Sequence, residues 1–214
     1  MTAAHVPTLA NVAEHLRDDE IHVWRLDYRP SHQRAPLRGV LAAYLGIAAE
    51  RVALTDGEHG RPALAAGLDP SLGFNWSHSD GQALIAIGRH IAPGIDLERL
   101  RPRARALEIA ERYFSVDEAA ALAALPEAER SAAFLELWTA KEAVLKALGR
   151  GIAFGLDRLS IASAIDRLHL QRLEGDDVGA WQLQRLDIDS SLVATLAWRG
   201  GERRIRLGTL ASGA

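Results

Sequence analysis

No cysteine occurs in the 214 residues, which excludes disulfides, thiolate metal ligands and cysteine nucleophiles together. Any metal must be held by oxygen or imidazole. Positive excess is missing as well: 25 Lys and Arg stand against 28 Asp and Glu, and a formal charge of −3 gives no global field for nucleic acid or an anionic membrane. No apolar run approaches the roughly 20 residues that span a bilayer. Residues 1–15 carry no basic stretch followed by an apolar leader core. With 48% hydrophobic and 25% charged residues, the chain reads as a soluble globular protein, expected in the cytoplasm, with no nucleic-acid or membrane partner.

Lysine is nearly absent too. Only Lys141 and Lys146 occur, both inside Trp138-Thr139-Ala140-Lys141-Glu142-Ala143-Val144-Leu145-Lys146, and arginine fills every other cationic position. A compact, mobile ammonium kept where a planar guanidinium has displaced all its equivalents marks this segment as the first place to look for chemistry.

Along the chain, residues 21–26 alternate as a half-buried strand that breaks at Asp27 and Pro30. A helix follows over residues 38–45, and Gly46 is placed to end it in a left-handed conformation. Residues 52–55 form a strand, and Gly60-Arg61-Pro62 opens a loop. Phe74-Asn75-Trp76 and residues 83–87 read as a hairpin whose polar tip is Ser77-His78-Ser79-Asp80-Gly81, with a third strand over 93–97. The Arg-rich stretch 100–105 contains Pro102 and marks a boundary. Helices are expected over 106–113, 116–124 and 126–148, the last ended by Gly149. Strands are expected over 159–161, 168–173, 181–188, 192–198 and 204–207. The fold class is α/β (α+β), in two halves, 1–102 and 103–214. Each half runs helix, Gly-containing loop, then strands with a hairpin, which hints at a duplicated unit.

Asp96 and Glu98, two apart in a strand, share one face, while Ile95 and Leu97 face the core. Two carboxylates on one face repel unless a cation lies between them, although a D-x-E at a strand end is often only solvated. Glu142 supplies a third carboxylate, on a helix face shared with Trp138 and Lys146. A Glu–Lys pair four apart is commonly a surface ion pair of about 0.3 kcal/mol, but Trp138 is a poor residue for a solvated face, so the stripe is expected to border a cleft. Three carboxylates without cysteine favour Mg²⁺ over Zn²⁺. Ser77 and His78 offer groups that could grip phosphate, and no G-x-S-x-G surrounds either serine of the loop. Arg61 could also meet an anion. The run Arg99, Arg101, Arg103, Arg105 reads as a solvated boundary rather than a binding stripe, although it could face an acidic partner. Lys141 lies about 100° round the helix from Glu142, off the stripe, and no physical role is read for it.

Gly60-Arg61-Pro62, Phe74-Asn75-Trp76-Ser77-His78-Ser79, Gly94-Ile95-Asp96-Leu97-Glu98 and residues 138–151, with Phe114-Ser115 after a short helix, together resemble the ordered motifs of the 4′-phosphopantetheinyl transferases. The spacing is similar to that of the surfactin-synthetase-activating type. That resemblance implies two pseudo-two-fold-related halves in a monomer, with the active site between them. It implies transfer of phosphopantetheine from coenzyme A to a serine of an acyl or peptidyl carrier protein, releasing 3′,5′-ADP. It further implies that Asp96, Glu98 and Glu142 bind Mg²⁺ and that Lys146, Ser77, His78 and Arg61 hold phosphate oxygens. Glu142 is also the candidate base and Lys146 the candidate charge neutraliser. The loop over 27–37 is shorter than the basic stretch this type often has, which leaves Arg34 and Arg38 as candidates for the adenine and 3′-phosphate. The carrier-facing surface is expected around 103–114. A catalytically silent coenzyme A or carrier-binding module of the same fold, and a generic Mg²⁺-dependent phosphohydrolase, are the competing readings.

Overall fold

Alternation on the first strand decides the layering of the molecule, which we describe from a computed structural model covering residues 9–57, 60–163 and 167–210. The reading of residues 1–15 as free of a leader falls largely on residues 1–8, outside the described residues. After a short helix, α1 (Leu9–Ala13), strand β1 (Glu20–Asp27) sends Ile21 and Val23 to one side and Trp24 and Leu26 to the other. Helix α2 (Ala35–Leu45) begins with Pro36 in its first turn and ends at Gly46, whose φ of 63° is the left-handed cap expected from the sequence. It covers the Trp24 side of β1, with Leu37, Val40 and Leu41 in the N-terminal core.

A small hairpin, β2 (Leu54–Asp56) and β3 (Pro62–Leu64), leads to the long hairpin β4 (Leu72–Ser79) and β5 (Gln82–Arg89). The strand expected over 52–55 starts later, because residues 49–51 form a turn of 3₁₀-helix. Strand β5 is buried on both faces and accordingly reads as an unbroken apolar run, Ala83 to Ile87.

Beyond β6 (Gly94–Arg99) come helices α3 (Ala106–Tyr113), α4 (Val116–Ala124) and α5 (Glu127–Leu148). A capping box starts α4: Ser115 accepts from the Glu118 amide, and the Glu118 carboxylate accepts from the Ser115 amide. Strands β7 (Leu159–Ser163), β8 (Leu168–Leu173), β9 (Trp181–Arg185), β10 (Leu192–Arg199) and β11 (Arg204–Thr209) follow. Strand β9 stops at Arg185, short of the expected 188, since Leu186 already turns inward to the core between the sheets.

Two sheets result, one in the order β11-β1-β5-β4 and one in the order β6-β10-β9, with β2-β3 and β7-β8 as separate pairs. Ile21, Val23, Leu84 and Ala86 of the first sheet meet Ile95, Leu97, Leu196 and Trp198 of the second in a common core. Helix α5 lies across β6 and β10. Strand β11 returns to pair in parallel with β1 and forms the edge of the first sheet.

The largest correction concerns the β4-β5 turn. Ser77, His78 and Ser79 belong to β4, and the turn is Asp80-Gly81, where Asp80 has φ 44° and Gly81 φ 83°. Their polarity reflects what they face, as the site makes plain.

Candidate active site

Strand β6 presents Asp96 and Glu98 on the face opposite Ile95 and Leu97, as the period of two requires. On β4, odd-numbered residues point the same way. Asn75 Oδ1 accepts from the Ile95 amide at 2.9 Å, Ser77 donates to Asp96 Oδ1 at 2.9 Å, and Ser79 donates to Glu98 Oε2 at 3.3 Å. The serines thus lie within a ladder of polar rungs between β4 and β6. His78 points to the other side of β4, stacked on Tyr28 at 4.5 Å and edge-on to Trp76 at 5.2 Å. Burial and the positive charge of Lys146 hold its pKa below the usual imidazole value.

Helix α5 brings the remaining groups because β6 lets it come unusually close. A Cβ on Gly94 would lie 1.9 Å from the Ala143 carbonyl oxygen and 2.4 Å from the Ala147 amide nitrogen. Only glycine fits there. The close approach lets Lys146 Nζ donate to Asp96 Oδ1 at 2.7 Å and to the Ile95 carbonyl at 3.1 Å. Glu142 Oε1 is buried with no hydrogen-bond partner among the described residues. Burial pushes the Glu142 carboxyl up to about 7, with Asp96 and Glu98 adding repulsion and Lys146 opposing it. An unpartnered buried carboxylate oxygen beside two further carboxylates is costly unless a proton or a cation meets it.

The donor set suits a hard cation, since every group is a carboxylate oxygen. Among the described residues, no three His, Asp or Glu side chains already converge into a metal-holding group. Asp96 accepts from Ser77 and Lys146 instead, and Glu98 accepts from Ser79 and, at 3.0 Å, from Arg103. Arg103 was expected to be solvated and is instead part of the site. Asn75 stood in the motif over residues 74–79 without a role of its own, and the structure joins it to the Ile95 amide of β6.

A cleft of about 560 Å³ opens beside these groups, lined by Arg61, Trp76, Glu142, Lys146, Arg150 and Ile152 among others. Asp96, Glu98, Glu142, Lys146 and Ser77 therefore come together, with Arg61 on the cleft wall and His78 within the electrostatic reach of Lys146. Arg34 and Arg38 do not join them. Arg34 pairs with Asp56 at 2.5 Å, and Arg38 lines a separate hollow with Glu50 and Val52. Trp138 also departs from expectation: it packs against Phe134 and Phe114, at 5.8 and 6.4 Å between ring centroids, so the stripe divides and only Glu142 and Lys146 line the cleft.

A family model, the 4′-phosphopantetheinyl transferase superfamily, matches residues 92–197. The chain is 36% identical over 200 residues to the 4′-phosphopantetheinyl transferase HetI of Nostoc sp., covering 90% of this chain and 82% of that relative. It is 33% identical over 134 residues to the 4′-phosphopantetheinyl transferase Sfp of Bacillus subtilis, covering 62% of this chain and 55% of the relative. Among solved structures, the holo-[acyl-carrier-protein] synthase of Thermotoga maritima overlays with a TM-score of 0.40 and 19% identity, over 52% of this chain and 63% of that one.

Proposed function

The chain belongs to the 4′-phosphopantetheinyl transferase superfamily, and from that premise we propose that its cleft moves phosphopantetheine from coenzyme A to the serine hydroxyl of an acyl or peptidyl carrier protein, with release of 3′,5′-ADP and dependence on Mg²⁺. The observation that carries the reading is the buried Glu142 oxygen, without a partner among the described residues, beside the Lys146–Asp96 pair, with Glu142 and Lys146 lining the cleft.

Lys146 has two acceptors, the Ile95 carbonyl and Asp96, for three ammonium protons. The third is available to a phosphoryl oxygen and can offset charge that develops during transfer. Glu142, with a carboxyl pushed up to about 7, has the proton affinity a general base needs near neutral pH. In the step proposed, the carrier serine oxygen forms a bond to the β-phosphorus while the bond from that phosphorus to the bridging oxygen breaks in line. The serine proton passes to Glu142, and 3′,5′-ADP leaves. Asp96, Glu98 and Glu142 would hold Mg²⁺, which when bound supplies charge neutralisation on the pyrophosphate. A carboxylate that ligates a cation is a weaker base, so Glu142 serves either role at the expense of the other.

Of the cofactor-binding set, Lys146 and His78 are the phosphate-side candidates. The Ser77 hydroxyl, donated to Asp96, favours holding that carboxylate in place. Arg34 and Arg38 remain the candidates for the 3′-phosphate and adenine, outside the cleft. The halves 1–102 and 103–214, related by a pseudo-two-fold axis with the site between them, stay part of the proposal: the orders β1-β5-β4 and β6-β10-β9 correspond, although β6 of the first half joins the second sheet and β11 of the second half joins the first. We place the enzyme in the cytoplasm as a monomer; no helix among the described residues is long and apolar enough to cross a membrane.

Mass spectrometry of a panel of apo carrier proteins incubated with coenzyme A and Mg²⁺ should show a gain of one phosphopantetheine on at least one carrier. No gain on any carrier sinks the proposal.

A further inference from the structure

Arg61 does not extend its guanidinium toward the open cleft. Nη1 donates to the Lys146 carbonyl and, at 3.3 Å, to the Ala147 carbonyl, and Nη2 donates to the carbonyls of Phe74 and Pro93, both at 3.2 Å. Four of the five guanidinium N–H bonds are thereby committed to main-chain oxygens. The four carbonyls belong to three elements: the last turn of α5, strand β4, and the residue just before β6.

Each of those elements holds one side of the site. A helix leaves its last carbonyls without intrahelical partners and carries partial negative charge there, so a cation at that end is favourable. Gly149, with φ 70°, turns its amide back to the Leu145 and Lys146 carbonyls. Arg61 adds a cationic partner to the carbonyls of Lys146 and Ala147. Through Phe74 it holds β4 next to Asn75, and through Pro93 it holds the start of β6, three residues before Asp96. The Lys146 backbone is thus tied by one guanidinium to the strand whose carboxylate its own side chain meets at 2.7 Å. Burial pulls the Arg61 pKa below the usual guanidinium value, as expected of a group enclosed among carbonyls with no carboxylate among the described residues pairing it. Since arginine titrates far above neutrality, it stays charged.

We propose that Arg61 is a positioning residue, a clamp that fixes the end of α5 against β4 and β6 and so sets the distance between Lys146 and Asp96, in place of the phosphate-holding role expected from the sequence. The proposal rests on the transferase reading of the cleft. It also makes a claim about the unliganded protein that does not depend on it. An ammonium cannot replace the clamp, because one point charge does not reach four divergent carbonyls.

The test compares Arg61→Lys and Arg61→Gln with the parent. Displacing reacting groups by about 1 Å costs on the order of 100-fold in rate. Both variants should therefore lose kcat by about 30- to 100-fold, with KM for coenzyme A changed by less than about 3-fold. In the protein without coenzyme A, hydrogen exchange should quicken at the amides of 145–150 and 94–96 and stay unchanged in α2 and β8. Guanidinium ion added to Arg61→Gly should restore part of kcat. A rise of tenfold or more in KM for coenzyme A at parental kcat, with Arg61→Lys close to parental, would identify a phosphate ligand and overturn the clamp. Uniformly faster exchange with a fall in Tm would identify a general scaffold residue and overturn it equally. If the parent transfers nothing to any carrier, the transferase reading fails, while the exchange pattern still decides the clamp.

Discussion

Lys141 and Lys146 stand on the same helix, and their surroundings differ in every respect that matters to an ammonium. Lys141 is fully buried; Nζ donates to the Leu156 carbonyl at 2.9 Å, the Leu159 carbonyl at 2.6 Å and Glu118 Oε2 at 2.8 Å, and it lies 5.0 Å from the Phe114 ring centroid. Three protons meet three acceptors, and nothing is left over. Burial lowers the Lys141 pKa, while Glu118 counteracts it. The Lys146 side chain is 27% exposed and has two acceptors, which leaves one donor for a ligand. The difference offers a physical reason why neither is arginine: one ammonium sits where three acceptors converge on a point, and the other, in the proposed transfer, keeps one N–H for a ligand on the cleft wall.

The largest effect should come from breaking the closed site. Lys141→Ala leaves Glu118 charged and buried and two carbonyls without a donor, a loss of about 3–5 kcal/mol. For a chain of this size that corresponds to a fall in Tm of about 6–20 °C, measured by thermal unfolding. A Tm within about 2 °C of the parent would show that the pair is dispensable, and the contrast between the lysines would collapse. Lys146→Ala should do the reverse, lowering kcat about 100- to 1,000-fold while Tm moves by less than about 2 °C. Lys146→Arg should not restore turnover. Should Lys146→Ala unfold as readily as Lys141→Ala, Lys146 would be a second structural lysine.

Much of the frame that carries both lysines is legible in the sequence. Helices α3 and α4 begin and end as their periodicity requires, and α5 ends at Gly149, because caps and amphipathic spacing are local signals. The face shared by Asp96 and Glu98 follows from the strand period alone. What was hidden is whatever depends on a neighbour distant in the chain. Ser77 to Ser79 look like a turn because they are polar, yet they pair with β5 and the two serines face the carboxylates of β6. Trp138 at helical spacing from Glu142 suggests a cleft, but Phe114 and Phe134 claim it for the core. Lys141 carries no local sign of its partner, since Glu118 reaches it from another helix.

Glu142 sits between the two lysines in sequence and sharpens the comparison through pH. Its carboxyl is pushed up to about 7 in the folded protein from an ordinary 4.5, so the folded chain keeps this proton to higher pH than the unfolded one. The stability contributed by the group is complete below about 4.5 and is lost as pH rises through about 7. With chelator present, Glu142→Gln should therefore be more stable than the parent by about 1–3 kcal/mol at pH 8, the gain fading toward pH 5. Added Mg²⁺ should raise the Tm of the parent and leave that of the variant nearly unmoved. A gain that is constant across pH would mean that the carboxyl is not strained by burial.

The smallest effect is the most diagnostic for Lys141. Removing both charges, as Lys141→Met with Glu118→Gln, abolishes the buried pair without leaving either ion alone, and such replacements cost far less than breaking the pair. Full recovery is not expected. Glu118 also accepts from the Ile161 amide at 2.8 Å and from the Ser115 amide at 3.0 Å. Glutamine keeps one acceptor for the first and loses one from the second, and the carbonyls of Leu156 and Leu159 still lack a donor. The double variant should therefore be more stable than Lys141→Met alone by about 1–2 kcal/mol in urea unfolding, and the coupling energy of the double-mutant cycle, which also subtracts the cost of Glu118→Gln alone, should be larger still. A coupling near zero would mean that Lys141 stabilises the core through the two carbonyls and the Phe114 ring, with Glu118 a bystander. Transfer per folded molecule should be unchanged throughout, because no atom of this pair touches the cleft in which Lys146 keeps its free proton.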